Sequence, residues 1–397
     1  MNQANEERVH RIQSLLRETG IPAWLFYDFR GSDPIAYRVL GLDPAAHTTR
    51  RWFYLVPAEG TPVKLVHRIE SGRLDALPGE RRVYLEWSAL HAALREILAP
   101  FPAVLMQYSP QAAIPYVSRV DAGTVELVRS CGSEVRSSGD LLQHLECILT
   151  PEQLAGHRSA ARVLHELVLG AFRYIQDALR SGRPVTEQTV QERLHQGLAA
   201  AGLVTDFPPI VAVGPHAGNP HYSPAPGGSD AVSANNLVLI DIWAKQPAAG
   251  SIFADITWTA WFGATPPDRV REIFRVVAAA RDRGVAFLRE RFAAGEPVQG
   301  WEVDDAVRGV IREAGYGRDF IHRTGHNLGE DVHGNGVHFD NLETHDDRRV
   351  IPGIACTIEP GIYLPDFGIR SEIDVYFGAC QVEVTTAIQD ELLCFPA

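Results

Sequence analysis

Two segments put single carboxylates inside stretches that otherwise have the composition of buried strands. They are LVLIDIWAKQPAAGSIFADITWTAWF, with Asp241 and Asp255, and ACTIEPGIYLPDFGIRSEIDVYF, with Glu359 and Glu372. Each has an apolar arm, a Pro/Gly-rich turn and a second apolar arm, the pattern of a β-hairpin. The paired acids are 14 positions apart in the first (241 to 255) and 13 in the second (359 to 372). Such spacing lets hairpin pairing return the second carboxylate to the neighbourhood of the first. A lone charge in an apolar strand is costly, and four carboxylates packed together repel. A chain that keeps all four must supply positive charge among them. His326 lies between the two segments in HRTGHNLG, and with one imidazole added the simplest source of that charge is a pair of divalent metal ions.

The rest of the chain sets the frame. With 397 residues, 45% hydrophobic and 22% charged, it can build two domains with sizeable cores. A net charge of −12 argues against a nucleic-acid partner. The start, MNQANEERVHRIQSLL, has no apolar signal core, and no apolar run reaches membrane-spanning length. The five cysteines, Cys131, Cys147, Cys356, Cys380 and Cys394, form no CxxC pair and read as reduced core thiols of a cytoplasmic protein.

Residues 1–148 read as an α/β unit. ERVHRIQSLLRET has helical spacing and stops at Gly20; PAWLFYDF, RRWFYLVPA, PVKLVHRIE and RRVYLEW read as strands; HAALREILAPF and LLQHLECIL read as helices. At the boundary, Thr150, Pro151 and Gln153 spell a helix start, with an N-cap, a proline at the first helical position and a capping-box partner. A long helix to about Gly182 follows, then helices over 187–201, from Pro267 to about 292, and over 303–314. Twice a helix pair precedes a carboxylate hairpin, over 151–262 and 267–378, an arrangement that suggests internal structural duplication.

Four carboxylates and one imidazole form a hard, oxygen-rich ligand set. It suits Mn²⁺, Mg²⁺ or Co²⁺ better than a thiolate zinc site would. Two such ions sharing a water lower its pKa to roughly 7 and so generate a hydroxide nucleophile without a Ser or Cys. His221 (GNPHYSP) and His333 (EDVHGNG) are candidates to hold substrate and stabilise an oxyanion. His322, four before His326, is placed behind the ligands. Arg370, two before Glu372, either braces that carboxylate or binds a substrate carboxylate. His216 reads as structural. GNGVHF is no phosphate loop, since it does not join a strand to a helix. There is no GxSxG elbow, and HxxxH lacks the glutamate of a zincin.

With these residues in view, the chain resembles the pita-bread metallopeptidases: proline dipeptidase, aminopeptidase P, methionine aminopeptidase and the metal-free creatinases. PHY at 220–222, LIDIW, FADIT, TGHNLG, IEPGIY and GIRSEIDV occur in family order. The resemblance implies an α/β (α+β) chain, with a creatinase-type N-terminal domain over 1–148 and a pita-bread catalytic domain of pseudo-twofold internal symmetry over 149–397. It implies Asp241 on the first metal, His326 on the second, and Asp255 and Glu372 bridging both. Glu359 would bind the second metal and shuttle protons, His221 and His333 would contact substrate, and His322 and Arg370 would support them. The implied activity is that of an Xaa-Pro dipeptidase using a dimetal-bound hydroxide, in a cytoplasmic homodimer with two Mn²⁺ ions, Co²⁺ or Zn²⁺ being the other choices. The alternatives are an Xaa-Pro aminopeptidase acting on longer peptides and a non-catalytic binding protein on the same fold. The chain departs from the family pattern in four places. The Asp–Asp turn is three residues longer, Ala254 and Trp258 replace a Ser and an Arg, and Gly334 replaces a Glu.

Overall fold

In a computed structural model of the chain, residues 3–224 and 229–396 are described. They form two units, Met1–Glu146 and Cys147–Ala397.

The first unit is a mixed six-stranded sheet with helices on both faces. Its strands are β1 (Ala23–Asp28), β2 (Trp52–Pro57), β3 (Val63–His67), β4 (Glu80–Tyr84), β5 (Ala103–Met106) and β6 (Glu134–Ser137), in the order β4-β3-β2-β1-β5-β6. The helices are α1 (Gln3–Thr19), α2 (Pro34–Leu40), α3 (Trp87–Leu98), α4 (Ala122–Ser130) and α5 (Gly139–Glu146). Alternation along β1 feeds two cores. Trp24 and Phe26 pack with α1, α2 and α5, while Leu25 and Tyr27 pack with α3 and α4.

The second unit opens on the helix start read from sequence. Thr150 Oγ1 accepts from Gln153 N (3.2 Å), and Thr150 N donates to the Gln153 side chain (2.8 Å). This box starts α6 (Pro151–Arg180), which is followed by α7 (Glu187–Ala200). Three strands come next, β7 (Ile210–Val213), β8 (Asn236–Ala244) and β9 (Ala254–Phe262). Then come α8 (Asp268–Ala294), α9 (Gly300–Glu313), β10 (Asn327–Leu328), β11 (Ala355–Ile358), β12 (Gly361–Tyr363), β13 (Gly368–Arg370), β14 (Ile373–Phe377), β15 (Val382–Val384) and β16 (Leu393–Cys394). One sheet runs β16-β9-β8-β7 and another β10-β11-β14-β15, with β12-β13 as a separate pair. A helix pair thus precedes each four-stranded sheet. Helix α9 begins three residues before the sequence-read start because Gln299 caps it, its N–H donating to Glu302 (2.8 Å).

The period-two alternation of β8 and β9 builds the site. Val238, Ile240, Ile242, Ala254, Ile256, Trp258 and Ala260 face the core shared with α6 and α7. Asp241, Trp243, Asp255 and Thr257 therefore share the opposite face. No described helix is long and apolar enough to cross a membrane. All five cysteines are free, but the core-thiol reading needs correction: Cys380, in the β14–β15 turn, and Cys394, on β16, are exposed.

Candidate metal centre

In the β8–β9 ladder Asp241 stands opposite Thr257, and Asp255 opposite Trp243. The two aspartates are therefore diagonal neighbours on one face. The second hairpin is not the continuous ladder its sequence suggests. Ile358 pairs with Ile373 in one sheet and Gly361 with Arg370 in the other pair, in a single register. Glu359 and Glu372 stand opposite each other in the gap between. The ladder opens there because Pro360 has no N–H to give and the glutamate amides bond elsewhere. Glu359 N donates to Thr324 O (2.7 Å) and Glu372 N to Thr257 O (3.2 Å). The Glu372 strand is thus tied to the face of the other hairpin, and the Glu359 strand to the segment that carries His326.

His326 enters from β10's start. Its N–H donates to Thr357 Oγ1 (2.9 Å), and its carbonyl accepts from Thr357 N (2.9 Å). Gly325 permits this approach: a Cβ there would lie 2.1 Å from Thr357 O. The His326 Nδ1 faces Asn327 O (3.3 Å), which can only accept, so Nδ1 carries the proton. Nε2 then offers its lone pair between Glu359 Oε1 (3.4 Å) and Asp255 Oδ2 (3.7 Å). Asp255, His326 and Glu372 each present a ligand atom within 4.8 Å of the other two.

Burial is the first electrostatic fact of this cluster. It pushes Asp255 and Glu372 well above the carboxylate range, and the neighbouring carboxylates push them further. Burial also raises Asp241, against the pull of the Arg370 guanidinium, and lifts Glu359 to about 7. Burial drives His326 far down. The protein alone therefore leaves this set short of positive charge. Asp241 Oδ1 and Asp255 Oδ1 are buried with no hydrogen-bond partner among the described residues. Bare oxygens, an imidazole lone pair and crowded acids are what divalent cations would satisfy, so the donor set fits them.

Around the ligands runs a chain of directed hydrogen bonds. Arg370 donates through Nε to Thr257 Oγ1 (2.9 Å), through Nη1 to Tyr363 OH (3.0 Å) and through Nη2 to Asp241. The Thr257 hydroxyl passes its own proton to Glu372 Oε2 (2.7 Å). His322 Nδ1 donates to Arg323 O (2.7 Å), so its Nε2 accepts from Tyr363 OH (2.6 Å). Both side chains read as support, His322 and Arg370, contact this relay, and Arg370 is spent on protein partners.

His221 and His333 are exposed and line the same cavity, of about 980 Å³, as the five clustered residues. The His333 ring lies 4.2 Å from that of His326, edge to face. The segment bearing His221 is tied down by buried Glu187 of α7. That carboxylate accepts from Val213 N (2.8 Å), His216 Nδ1 (2.9 Å), Tyr222 OH (2.5 Å) and Asp230 N (2.8 Å). His216 is thus structural, stacked on Tyr222.

Sequence reasoning missed Glu187, Tyr363, Thr257 and Trp243. The last lines the cavity directly opposite Asp255. Two of the departures from the family pattern, Ala254 and Trp258, are not among the residues lining the cavity. Both side chains lie on the helix face of β9, Trp258 against His165 (4.7 Å). Gly334 sits against Asn327, where a Cβ would come within 2.3 Å of its side-chain oxygen.

The comparisons with known proteins agree with this architecture. An Xaa-Pro dipeptidase of Lactobacillus delbrueckii subsp. lactis is 33% identical over 236 residues, 59% of this chain and 58% of the relative. The chain therefore spans less than two thirds of that relative. Dipeptidase PepE from Mycobacterium ulcerans superposes with a TM-score of 0.71 at 21% identity, covering 100% of both chains. A prolidase from Thermococcus sibiricus gives 0.63 at 23% identity, covering 99% of each. The fold is the pita-bread fold preceded by an N-terminal domain. Residues 157–383, more than half of the sequence, match the metallopeptidase family M24, and the chain belongs to that family.

Proposed function

We propose that the chain is a metal-dependent Xaa-Pro dipeptidase, with residues 1–148 as a creatinase-like N-terminal domain and residues 149–397 as the catalytic one. The observation that carries this reading is the convergence of Asp241, Asp255, His326, Glu359 and Glu372 on one cavity wall, with two carboxylate oxygens that have no hydrogen-bond partner among the described residues. Two divalent ions bound there would polarise the scissile carbonyl and acidify a water. Mn²⁺ is the first choice and Co²⁺ or Zn²⁺ the others.

The chain's own groups account for the rest. His221 and His333 line the cavity and can donate to the carbonyl oxygen as it gains charge. Glu359 can take a proton from the attacking water and return it to the departing nitrogen. That return is needed because an X-Pro bond is a tertiary amide, and proline must gain a proton to leave as an amine. Arg370, Tyr363 and His322 hold the ligands in orientation.

Two observations favour the second reading, an Xaa-Pro aminopeptidase. The cavity is roomier than a dipeptide requires, at about 980 Å³, and Arg370 is already occupied by Asp241, Thr257 and Tyr363. Hydrolysis of Ala-Pro beside Ala-Pro-Ala, with Mn²⁺, Co²⁺ and Zn²⁺ each supplied, separates the two. Chelation should abolish turnover and Mn²⁺ or Co²⁺ restore it; full turnover by thoroughly demetallated protein refutes both. A failure to bind metal would favour the binding-protein alternative. The reading includes a cytoplasmic homodimer, which sedimentation of the purified protein would test.

A further inference from the structure

We propose that Trp243, with Phe207, forms the subsite for the side chain that precedes the scissile bond, and that it selects large apolar side chains there. The inference rests on the peptidase reading above and adds a specificity to it.

Trp243 is two residues from Asp241 and directly opposite Asp255, so its side chain leaves the strand on the carboxylate face. From Leu237 to Ala244, every residue of β8 is buried except Trp243, which is half-buried and lines the cavity. Part of its ring packs on an apolar cluster that includes Leu154, Phe253 and Val332. Its Nε1 donates to Asp206 Oδ1 (2.6 Å). Asp206 is held in place by the bridge between Val204 and Lys245, two bonds of 2.9 Å. The indole is thus fixed by its Nε1 edge and by the part packed on that cluster, and the remainder lines the cavity.

Phe207 lines the same cavity and is 66% exposed. Apolar rings left facing water in a concave site gain when a ligand covers them. Charge decides which part of a peptide does so. The Trp243 end carries the carboxylates of Asp206 and Asp331, which attract an α-ammonium. The other end holds Arg323, next to Thr324, whose carbonyl accepts from Glu359 N, together with Glu343, which accepts from Arg323 N (3.0 Å), so its charges offset while the Trp243 end stays negative. A dipeptide therefore enters with its amino-terminal residue towards Trp243 and its carboxylate towards Arg323.

The test uses metal-loaded protein and two non-hydrolysable dipeptides, Phe-Pro and Ala-Pro with a methylene in place of the scissile carbonyl. Calorimetry should find the Phe compound bound on the order of 10-fold more tightly by the natural protein, within the range one hydrophobic pocket achieves. Trp243→Ala should weaken the Phe compound about 10-fold more than the Ala compound, Trp243→Phe should restore most of the preference, and Phe207→Ala should lower it in part. Metal stoichiometry, measured by mass spectrometry, should stay at the natural value in all three. A natural protein with no preference, or the same preference after Trp243→Ala, overturns the proposal. Hydrolysis of Phe-Pro and Ala-Pro is followed separately. Absence of any X-Pro cleavage sinks the dipeptidase reading whatever the calorimetry gives, while cleavage with a flat binding ratio sinks the subsite alone.

Discussion

Arg370 makes three hydrogen bonds in three directions, to Asp241, Thr257 and Tyr363, and a planar guanidinium can serve all three where an ammonium cannot. Arg370→Lys should therefore lower metal affinity by roughly 10–100-fold, as loss of a partner that orients ligands does, and slow Ala-Pro and longer X-Pro peptides alike. Metal titration beside kinetics checks this; intact metal binding with KM raised for dipeptides alone would return Arg370 to the role of substrate anchor. His333→Ala should keep its metals yet lose roughly 10²–10³-fold in kcat, the scale of one oxyanion donor. If that variant instead loses metal, His333 is holding the centre and not the substrate. The clustered carboxylates and His326 were legible because charge inside an apolar strand is anomalous without a partner. Trp243 and Tyr363 were not, because an aromatic residue in a strand looks like ordinary core. Only the register tells that Trp243 faces the cavity while Trp258 faces a helix.

Among elements, the long helices were the most legible, since caps and apolar periodicity agree along α6. The four-residue strands β5 and β6 and the short helices α2 and α4 escaped notice, being too brief to show a period. The hairpin at Glu359 was read as continuous because Pro360 breaks a ladder without altering the apolar pattern around it. One helix-to-hairpin tie carries a pH dependence. On α6, His157 places Nδ1 2.7 Å from Phe253 O and Nε2 2.7 Å from Thr385 Oγ1. Burial holds the ring neutral, with its pKa pushed down to about 4 from 6.5. Above pH 6.5 the ring is neutral folded and unfolded, so it adds no pH dependence. As pH falls from 6.5 towards 4 the unfolded chain takes up the proton first, and roughly 3 kcal/mol of stability is lost. His157→Gln should flatten the fall of Tm over that window, and an unchanged slope would clear His157 of the effect.

For the whole molecule, the proposed metal ligands and every described residue lining the cavity belong to Cys147–Ala397, while Met1–Glu146 has cores of its own. Mn²⁺ at 100 times its Kd should stabilise the larger unit by about 2.7 kcal/mol. Scanning calorimetry should show its transition rising by roughly 5–10 °C while the smaller unit's stays put; equal movement of both would mean that they unfold as one. The two-unit division has a local sequence signal in Thr150, but the closing of the first site sheet has none. That sheet depends on β16, whose Leu393 and Cys394 pair in parallel with Ala260 and Trp261, and on Phe395, which stacks on Phe262. On the ribosome β9 emerges long before β16, and at ordinary elongation rates the interval is about ten seconds. Throughout it the outer edge of ADITWTAWF, rich in aromatic and β-branched residues, offers unpaired N–H and C=O groups to any neighbouring chain. Nascent copies on one messenger should therefore be most prone to aggregate in this interval, and yield should respond to translation speed downstream of residue 262.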